Sequence, residues 1–163
     1  MVVSLYTNVY PMKILAVDPG EARIGLAISD PTGTIARPLQ IVAHEARDKD
    51  VDRIAALAKE QGVDLIVVGQ SLTEHGRPTR LGRKAAQMAD ALRGTTGLDV
   101  ELFEESFTTQ DVRLARLESG MRKKKRRTPL DAEAAARILQ NYLDERKTNP
   151  IIKNKLTDSG PTD

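Results

Sequence analysis

Residues 12–30 read MKILAVDPGEARIGLAISD, and this stretch predicts two strands joined by a tight turn. Residues 14–17 form a near-continuous apolar run, as expected of a strand buried on both faces, and the run stops at Asp18. The Pro-Gly pair after Asp18 favours a turn, and residues 24–28 resume as a second apolar strand. The stretch therefore predicts a central hairpin with a carboxylate at its bend.

Asp18 has two interpretations from this stretch alone. An aspartate that closes a buried strand is costly to bury and usually holds a metal ion or a proton. An aspartate before Pro-Gly is equally suited to cap the turn with its own side chain. Actin-like ATPases have a similar Asp-x-Gly phosphate loop, but they generally bind nucleotide between two domains, and 163 residues predict one domain.

The composition is that of a globular protein, with 40% hydrophobic and 29% charged residues. The absence of cysteine excludes disulfides and thiolate metal sites, and it fits a reducing cytoplasm. The apolar runs are too short to span a membrane, and the first residues lack the pattern of a signal peptide. We therefore expect a cytoplasmic protein without a membrane partner.

Six consecutive basic residues, RKKKRR, occupy positions 122–127, although the formal net charge is only +2. Such a run repels itself and predicts a mobile loop. It is either a solvated surface segment or a clamp for the phosphate backbone of a nucleic acid. The clamp is favoured because the run shortly precedes Asp131, another candidate site residue. With 3% aromatic residues, a large stacking platform for single strands is not expected.

Strands and helices alternate along the rest of the chain. A strand is predicted at residues 35–42, where Pro38 suits the edge of a sheet. The remaining predicted elements are a helix at 48–61 ended by Gly62, a strand at 65–68, a helix at 80–93 ended by Gly94, a strand at 100–103, a helix before the basic run and a final helix at 130–145. Three strands joined by short turns, followed by this alternation, predict an α/β domain. Its five-stranded mixed sheet is antiparallel first and parallel later, with helices flanking it.

We expect one folded domain at residues 12–146. Residues 1–11 are predicted to be an N-terminal extension, since Met12 would serve equally well as a start. Residues 147–163 contain Pro, Asn, Ser and Gly with little apolar content, which predicts a disordered tail.

Three carboxylates occupy informative positions. Asp18 ends the first strand and Glu105 follows the fifth, so neighbouring strands would bring both to one sheet edge, where α/β proteins bind ligands. Asp131 opens the last helix, with apolar residues three, four and seven positions beyond it, which places it on the face that packs against the sheet. The alternative role for Asp131 is a helix N-cap. Converging carboxylates are what Mg²⁺ or Mn²⁺ require.

One set of motifs extends over residues 12–145. Its members are Asp18-Pro-Gly-x-x-Arg23-Ile-Gly25 with Ser29-Asp30, Val67-Val68-Gly69 with Gly76, Glu104-Glu105 with Thr108-Thr109, Leu130-Asp131-x-x-Ala134-Ala135, and Leu139-Gln140-x-Tyr142-Leu143. Together they resemble the YqgF family of the ribonuclease H-like superfamily. Members of that family are described as Holliday junction resolvases or pre-16S rRNA nucleases.

The resemblance implies a ribonuclease H-like nuclease domain that hydrolyses phosphodiester bonds with Mg²⁺ or Mn²⁺. Asp18, Glu105 and Asp131 would form its acidic, metal-binding triad. The residues implied to hold substrate phosphates are Arg23 and the basic run, with Lys123, Lys124, Lys125 and Arg126.

The expected substrate is structured RNA in the processing of pre-16S rRNA, within ribosome biogenesis. The alternatives are a resolvase acting on branched DNA, or a nucleic-acid-binding module that has lost catalysis. A monomer and a homodimer are both compatible with these functions. The chain departs from the family pattern at Ser106, where an arginine is usual, and at Gln70-Ser71 after the fourth strand.

Other polar residues have structural interpretations. His44 and His75 are predicted to be solvent-facing loop residues, and Asp30 a turn residue. The alternatives are that His75, beside Gly76, approaches the substrate and that the Asp30 carboxylate supports the metal ligands. Thr108 with Asp111 predicts a capping box at a helix start.

Overall fold

A five-stranded mixed sheet is the centre of the molecule. The computed structural model describes residues 12–104 and 129–148, the second range without the side chains of its first three residues. The elements are β1 (Ile14–Pro19), β2 (Arg23–Ser29), β3 (Ala36–Ala43), α1 (Arg47–Gln61), β4 (Leu65–Gln70), α2 (Arg80–Thr96), β5 (Asp99–Glu104) and α3 (Pro129–Thr148). The strand order is β3-β2-β1-β4-β5, with β1 to β3 antiparallel and β4 and β5 parallel to β1. The predicted sheet is therefore confirmed.

The two faces of the sheet are covered by different helices. Along β1, Leu15 and Val17 pack with α1 and α2, whereas Ile14 and Ala16 pack with α3. All four side chains are fully buried, which explains the continuous apolar run in the sequence. Since Asp18 continues the alternate series of Ile14 and Ala16, its position is on the face covered by α3.

The edge position predicted for the third strand is confirmed. Pro38 of β3 lies opposite Ala27, where the register with β2 shifts. A proline has no N–H for a sheet ladder, so it fits an edge strand at an irregularity. At the start of the same strand, the Gln140 side chain of α3 accepts the Ala36 N–H at 2.9 Å and donates to the Thr34 carbonyl at 3.2 Å. These bonds join the last helix to the sheet edge.

Glycine ends the first two helices, but one of them later than predicted. Gly62 ends α1 with a φ of 66°, as predicted. The prediction that the second helix stops at Gly94 is wrong, because α2 continues to Thr96 and Gly97 ends it with a φ of 69°. A Cβ at Gly94 would meet nothing within 4 Å, so Gly94 is an exposed helical residue.

The last helix, α3, also extends past its predicted end at residue 145, reaching Thr148 within the predicted tail. The other predictions outside the described residues concern positions 1–11, Glu105 and Ser106, the helix before the basic run with the capping box at Thr108, the basic run itself and the tail from residue 149. No helix of the described ranges is long and apolar enough to cross a membrane.

Candidate active site

Asp18 lies at the carboxyl end of the central strand, beside a tight turn into β2. The Gly20 N–H donates to the Arg23 carbonyl at 2.9 Å, and a Cβ on Gly20 would lie only 2.5 Å from that oxygen. Glycine is therefore required at the bend, as the sequence predicted. Asp18 pairs with Gly25 across the hairpin and is partly buried. The turn thus fixes the backbone that presents this carboxylate.

A cavity of about 240 Å³ opens beside Asp18. Its walls come from four elements: the ends of β1 and β4, the start of α2 and the first half of α3. The lining residues are Asp18, Pro19, Gly69, Gln70, Ser71, Leu81, Ala134, Arg137 and Ile138. Segments distant in sequence therefore meet around the predicted metal ligand.

The wall from β4 and α2 is held by a close junction. The buried Gln70 side chain donates from Nε2 to the Gly82 carbonyl at 3.0 Å. A Cβ on Gly82 would lie 2.3 Å from the Ser71 carbonyl oxygen, so glycine lets the helix approach the strand. Thr79 caps α2, since its Oγ1 accepts the Gly82 N–H at 3.0 Å. Leu81 is thereby placed in the cavity wall.

The loop before α2 is closed by its own backbone. Leu72 and Pro78 form an isolated bridge, and the Gly76 N–H donates to the Thr73 carbonyl at 2.9 Å. Gly76 has a φ of 75°, the left-handed conformation that favours glycine. His75 lies at the loop tip with its side chain 81% exposed, which confirms the prediction of a solvent-facing residue.

The opposite wall of the cavity belongs to α3. A Cβ on Gly69 would lie 2.9 Å from Cδ1 of Ile138, so the absence of a side chain lets this helix approach β4. Ala134 and Arg137 line the cavity from the same helix. Position 131 is one turn before Ala134, on the helix face that borders the cavity. The side chain of Asp131 lies outside the described part of the chain, so its predicted place beside the cavity stays a prediction.

An aromatic contact fixes α3 against β5. The Tyr142 hydroxyl donates to Oε2 of Glu101 at 2.7 Å, and its ring meets Phe103 edge-on at 5.6 Å. Burial and the neighbouring Glu101 carboxylate raise the pKa of Tyr142. Tyr142 stays protonated and remains a donor, so the contact persists at any physiological pH.

The predicted site residues are described to different extents. Asp18 lines the cavity, and Arg23 starts β2 two residues before Gly25, on the same sheet face as Asp18, without lining the cavity. Glu105 and the basic run lie outside the described residues, as does the side chain of Asp131. Among the side chains that are described, no group of three His, Cys, Asp or Glu is placed to hold a metal. Because two predicted ligands are not among them, the triad stays a prediction.

Several lining residues were not predicted as functional. Gln70 is the last residue of β4 and Ser71 follows it, and the carboxyl end of a parallel strand is where α/β proteins bind ligands. That rule could have identified both residues. Arg137 follows Ala134 by three residues, as expected for the same helix face. Many other polar residues of helices have such a spacing, so it does not identify Arg137 as a lining residue.

Asp30 is a turn residue, as predicted. Its carboxylate accepts the Thr34 N–H at 2.7 Å, the Ile35 N–H at 2.8 Å, the Thr32 N–H at 3.3 Å and the Thr32 hydroxyl. These donors, led by the Ile35 N–H, hold the pKa of Asp30 well below its usual range. Asp30 therefore closes the loop between β2 and β3.

His44 is exposed as predicted, yet it has a structural contact. Its Nδ1 lies 2.5 Å from Oδ2 of Asp50, whose side chain is fully buried. The other oxygen of Asp50 accepts the Glu45 N–H at 3.1 Å. The pair closes the connection between β3 and α1 and does not line the cavity.

Comparison with known proteins identifies a family with a similar sequence. A family model described as "RuvX: Holliday junction resolvase" matches residues 12–145. A protein of Anaeromyxobacter sp. (strain Fw109-5), named "Putative pre-16S rRNA nuclease", is 42% identical over 135 residues, which are 83% of this chain and 98% of that protein. A protein of the same name from Chloroflexus aurantiacus (strain J-10-fl) is 36% identical over 146 residues, or 90% of this chain and 95% of that protein.

Solved structures share the fold. The fowlpox virus resolvase, in a complex with Holliday junction DNA, superimposes with a TM-score of 0.53 at 12% identity, covering 82% of this chain and 98% of the viral one. At that identity the similarity concerns the fold alone. The ribonuclease H-like architecture implied by the motifs is confirmed.

Proposed function

The chain belongs to the RuvX family, and on that premise we propose that it is a nuclease that uses Mg²⁺ or Mn²⁺ to hydrolyse phosphodiester bonds during pre-16S rRNA processing. The names of its curated relatives support this substrate. The central observation is the position of Asp18, a partly buried carboxylate at the end of the central strand that lines a cavity beneath α3. This function would place the protein in the cytoplasm.

The residues proposed to hold the metal are Asp18, Glu105 and Asp131. Strand alternation supports Glu105 over its neighbour, because Glu101 and Phe103 contact Tyr142 of α3. A two-residue period continued from them predicts position 105 on the same face and Glu104 on the opposite one.

The donor set fits a hard divalent cation. Three carboxylates offer only oxygen ligands, which Mg²⁺ and Mn²⁺ prefer, and such ions usually keep several waters. The backbone supports the third position, because residue 131 is on the face of α3 that borders the cavity of Asp18. The same edge of the sheet would therefore bring together the three ligands.

The bound metal would supply Lewis-acid activation of water and neutralise charge at the leaving oxygen. The protein's own residues hold and orient the substrate. Arg23 and the basic run would bind phosphates of the substrate, which provides affinity without reading bases. Because water would be the nucleophile that attacks the phosphorus, no side chain needs to form a covalent intermediate.

Asp18→Asn tests the proposal, because it removes the charge while keeping the size of the side chain. We expect cleavage of a labelled pre-16S rRNA fragment to fall by at least about a hundredfold, since even the residues that support a metal ligand often matter this much. Melting should show that Mg²⁺ or Mn²⁺ raises the Tm of the wild type and not that of the variant. Asp52→Asn, on the exposed side of α1, is the control and should cleave normally. Wild-type cleavage by Asp18→Asn would refute the metal site.

A Holliday junction is the second candidate substrate. The description of the family model favours it. A labelled four-way DNA junction should be incubated beside the RNA fragment, with Asp18→Asn as the inactive control. Cleavage of one substrate alone selects the function. Tight binding without cleavage of either would instead support a binding module that has lost catalysis.

A further inference from the structure

We propose that Arg137 binds a phosphate of the substrate strand next to the cleaved bond, and that the adjoining cavity wall receives the attached nucleoside. The inference rests on the proposed nuclease function and assigns the nucleotide subsite of the same cavity.

Arg137 and Asp18 reach the cavity from different elements. Asp18 comes from the end of β1, and Arg137 comes from α3, one residue before the buried Ile138. The Arg137 side chain is exposed and so is accessible to a polymer in solvent. A cation at the rim of a carboxylate site is suited to hold the anion that the site acts on.

Arg137 has no competing partner in the part of the chain that the structure describes. No salt bridge or hydrogen bond within residues 12–104 and 132–148 involves its guanidinium. Other arginines are occupied: Arg53 pairs with Glu45, and Arg93 pairs with Asp90. The planar guanidinium of Arg137 can therefore offer two parallel N–H groups to a phosphate.

The walls beside Arg137 suit a nucleoside. Leu81 and Ile138 provide apolar surface, and Ser71 lines the same cavity. The volume of about 240 Å³ is below the roughly 300–1,000 Å³ of pockets for free small molecules. A cavity of this size fits one unit of a polymer, with apolar walls for a base or sugar and a cation for its phosphate.

Binding measurements test the assignment. Arg137→Gln should weaken binding of the labelled RNA fragment or junction by about tenfold, because one charge-assisted contact is lost. The slope of log K against log salt should become shallower by roughly 0.7–0.9, the value for one phosphate. Arg137→Lys should restore the slope, since it keeps the charge. Lys147→Gln, an exposed cation on the same helix, is the matched control and should change neither quantity.

A neutral phosphate identifies the contact. A methylphosphonate in place of one phosphate removes a single backbone charge. It is placed in turn at each deoxynucleotide near the cut, in the DNA junction or in an RNA fragment that carries one deoxynucleotide. At one position, we expect the methylphosphonate to weaken binding by the wild type about as much as Arg137→Gln weakens binding of the unmodified substrate. The same methylphosphonate should not weaken binding by the variant any further.

The outcomes separate this inference from the function. If the wild type cleaves and Arg137→Gln binds and cleaves equally well, with an intact fold by circular dichroism, the nucleotide subsite is refuted alone. Equal losses in Arg137→Gln and Lys147→Gln would also refute it, because they would indicate general surface charge. If the wild type neither binds nor cleaves any nucleic acid, the proposed function fails and the subsite with it.

Discussion

At the scale of single residues, Asp18 and Asp30 are two aspartates at strand ends with different environments. Asp30 follows β2, and backbone and hydroxyl donors from the next five residues surround its carboxylate. Asp18 borders a cavity of about 240 Å³. The Asp30 carboxylate accepts four hydrogen bonds within its own loop, which gives it a structural role. The metal-binding role proposed for Asp18 rests on its place in the cavity wall.

Asp30→Asn should lower stability in a pH-dependent way. Because its donors lower the pKa of Asp30 in the folded state below the ordinary 3.8, the ionised carboxylate stabilises the fold above about pH 4. That contribution is lost progressively as the pH falls further. Denaturant unfolding at about pH 7 and about pH 3 should give a larger difference between wild type and variant at the higher pH. An equal difference at both values would contradict the assigned role.

The adjacent glutamates provide a matched pair of variants. Strand alternation predicts that Glu105→Gln abolishes cleavage, because position 105 is expected on the face of Asp18. Glu104→Gln, an identical change one residue earlier, should leave cleavage within about twofold, as expected of a surface position away from the site. Initial rates on the RNA fragment check both. Loss in Glu104→Gln with normal cleavage by Glu105→Gln would reverse the assignment.

At the scale of elements, the junction of β4 with α2 positions one wall of the cavity. Gly82 lets the helix begin against the Ser71 carbonyl, and Gln70 bonds the same turn of helix. Because both contacts involve backbone, the junction has little freedom to relax. The site geometry therefore depends on a glycine that has no chemical group of its own.

Two glycines of α2 should respond oppositely to the same change. Gly82→Ala should lower the free energy of unfolding by about 1–3 kcal/mol, because the new Cβ would overlap the Ser71 carbonyl oxygen. Gly94→Ala should raise the free energy of unfolding by about 0.5–1 kcal/mol, because alanine favours the helix and its Cβ would lie in open space. Equilibrium unfolding in urea measures both. A stabilising Gly82→Ala would mean that the junction can shift.

The order of elements was predictable because it follows from local patterns. Neighbouring residues alone show the apolar runs of β1 and β4 and the Pro38 interruption of β3. The end of α2 was not predictable, because Gly94 and Gly97 are both glycines near the helix end and only the folded backbone shows that Gly97 has the left-handed conformation. Asp18 was predictable as a candidate for the same local reason. The cavity required side chains from four elements, so Arg137 could not be selected from other surface arginines.

At the scale of the whole molecule, the distribution of charge matters more than its sum. The net charge is +2, but residues 122–127 concentrate six cations in one run of the chain. Nucleic acids bind such clusters by releasing counterions, so affinity should depend steeply on salt. The run lies between two of the proposed metal ligands in the sequence.

Changing Lys123, Lys124 and Lys125 together to glutamine should weaken binding to RNA and DNA alike. The salt slope should become shallower by up to about 2–3, at 0.7–0.9 for each phosphate released. Anisotropy titrations over a range of salt concentrations measure it. As a control, Lys49→Gln and Lys59→Gln change exposed cations of α1, on the sheet face opposite α3. An unchanged slope in the triple variant would show that the run is only a solvated segment.

The late position of α3 in the chain has a consequence for biosynthesis. Ile14, Ala16, Leu65 and Val67 are fully buried on the sheet face that this helix covers. All of them leave the ribosome well before α3, so this apolar face stays open to water, and exposed to aggregation, until the helix docks. The cavity is also incomplete until then. Under the proposed function, cleavage of nucleic acid would therefore begin only after α3 has left the translating ribosome and docked on the sheet.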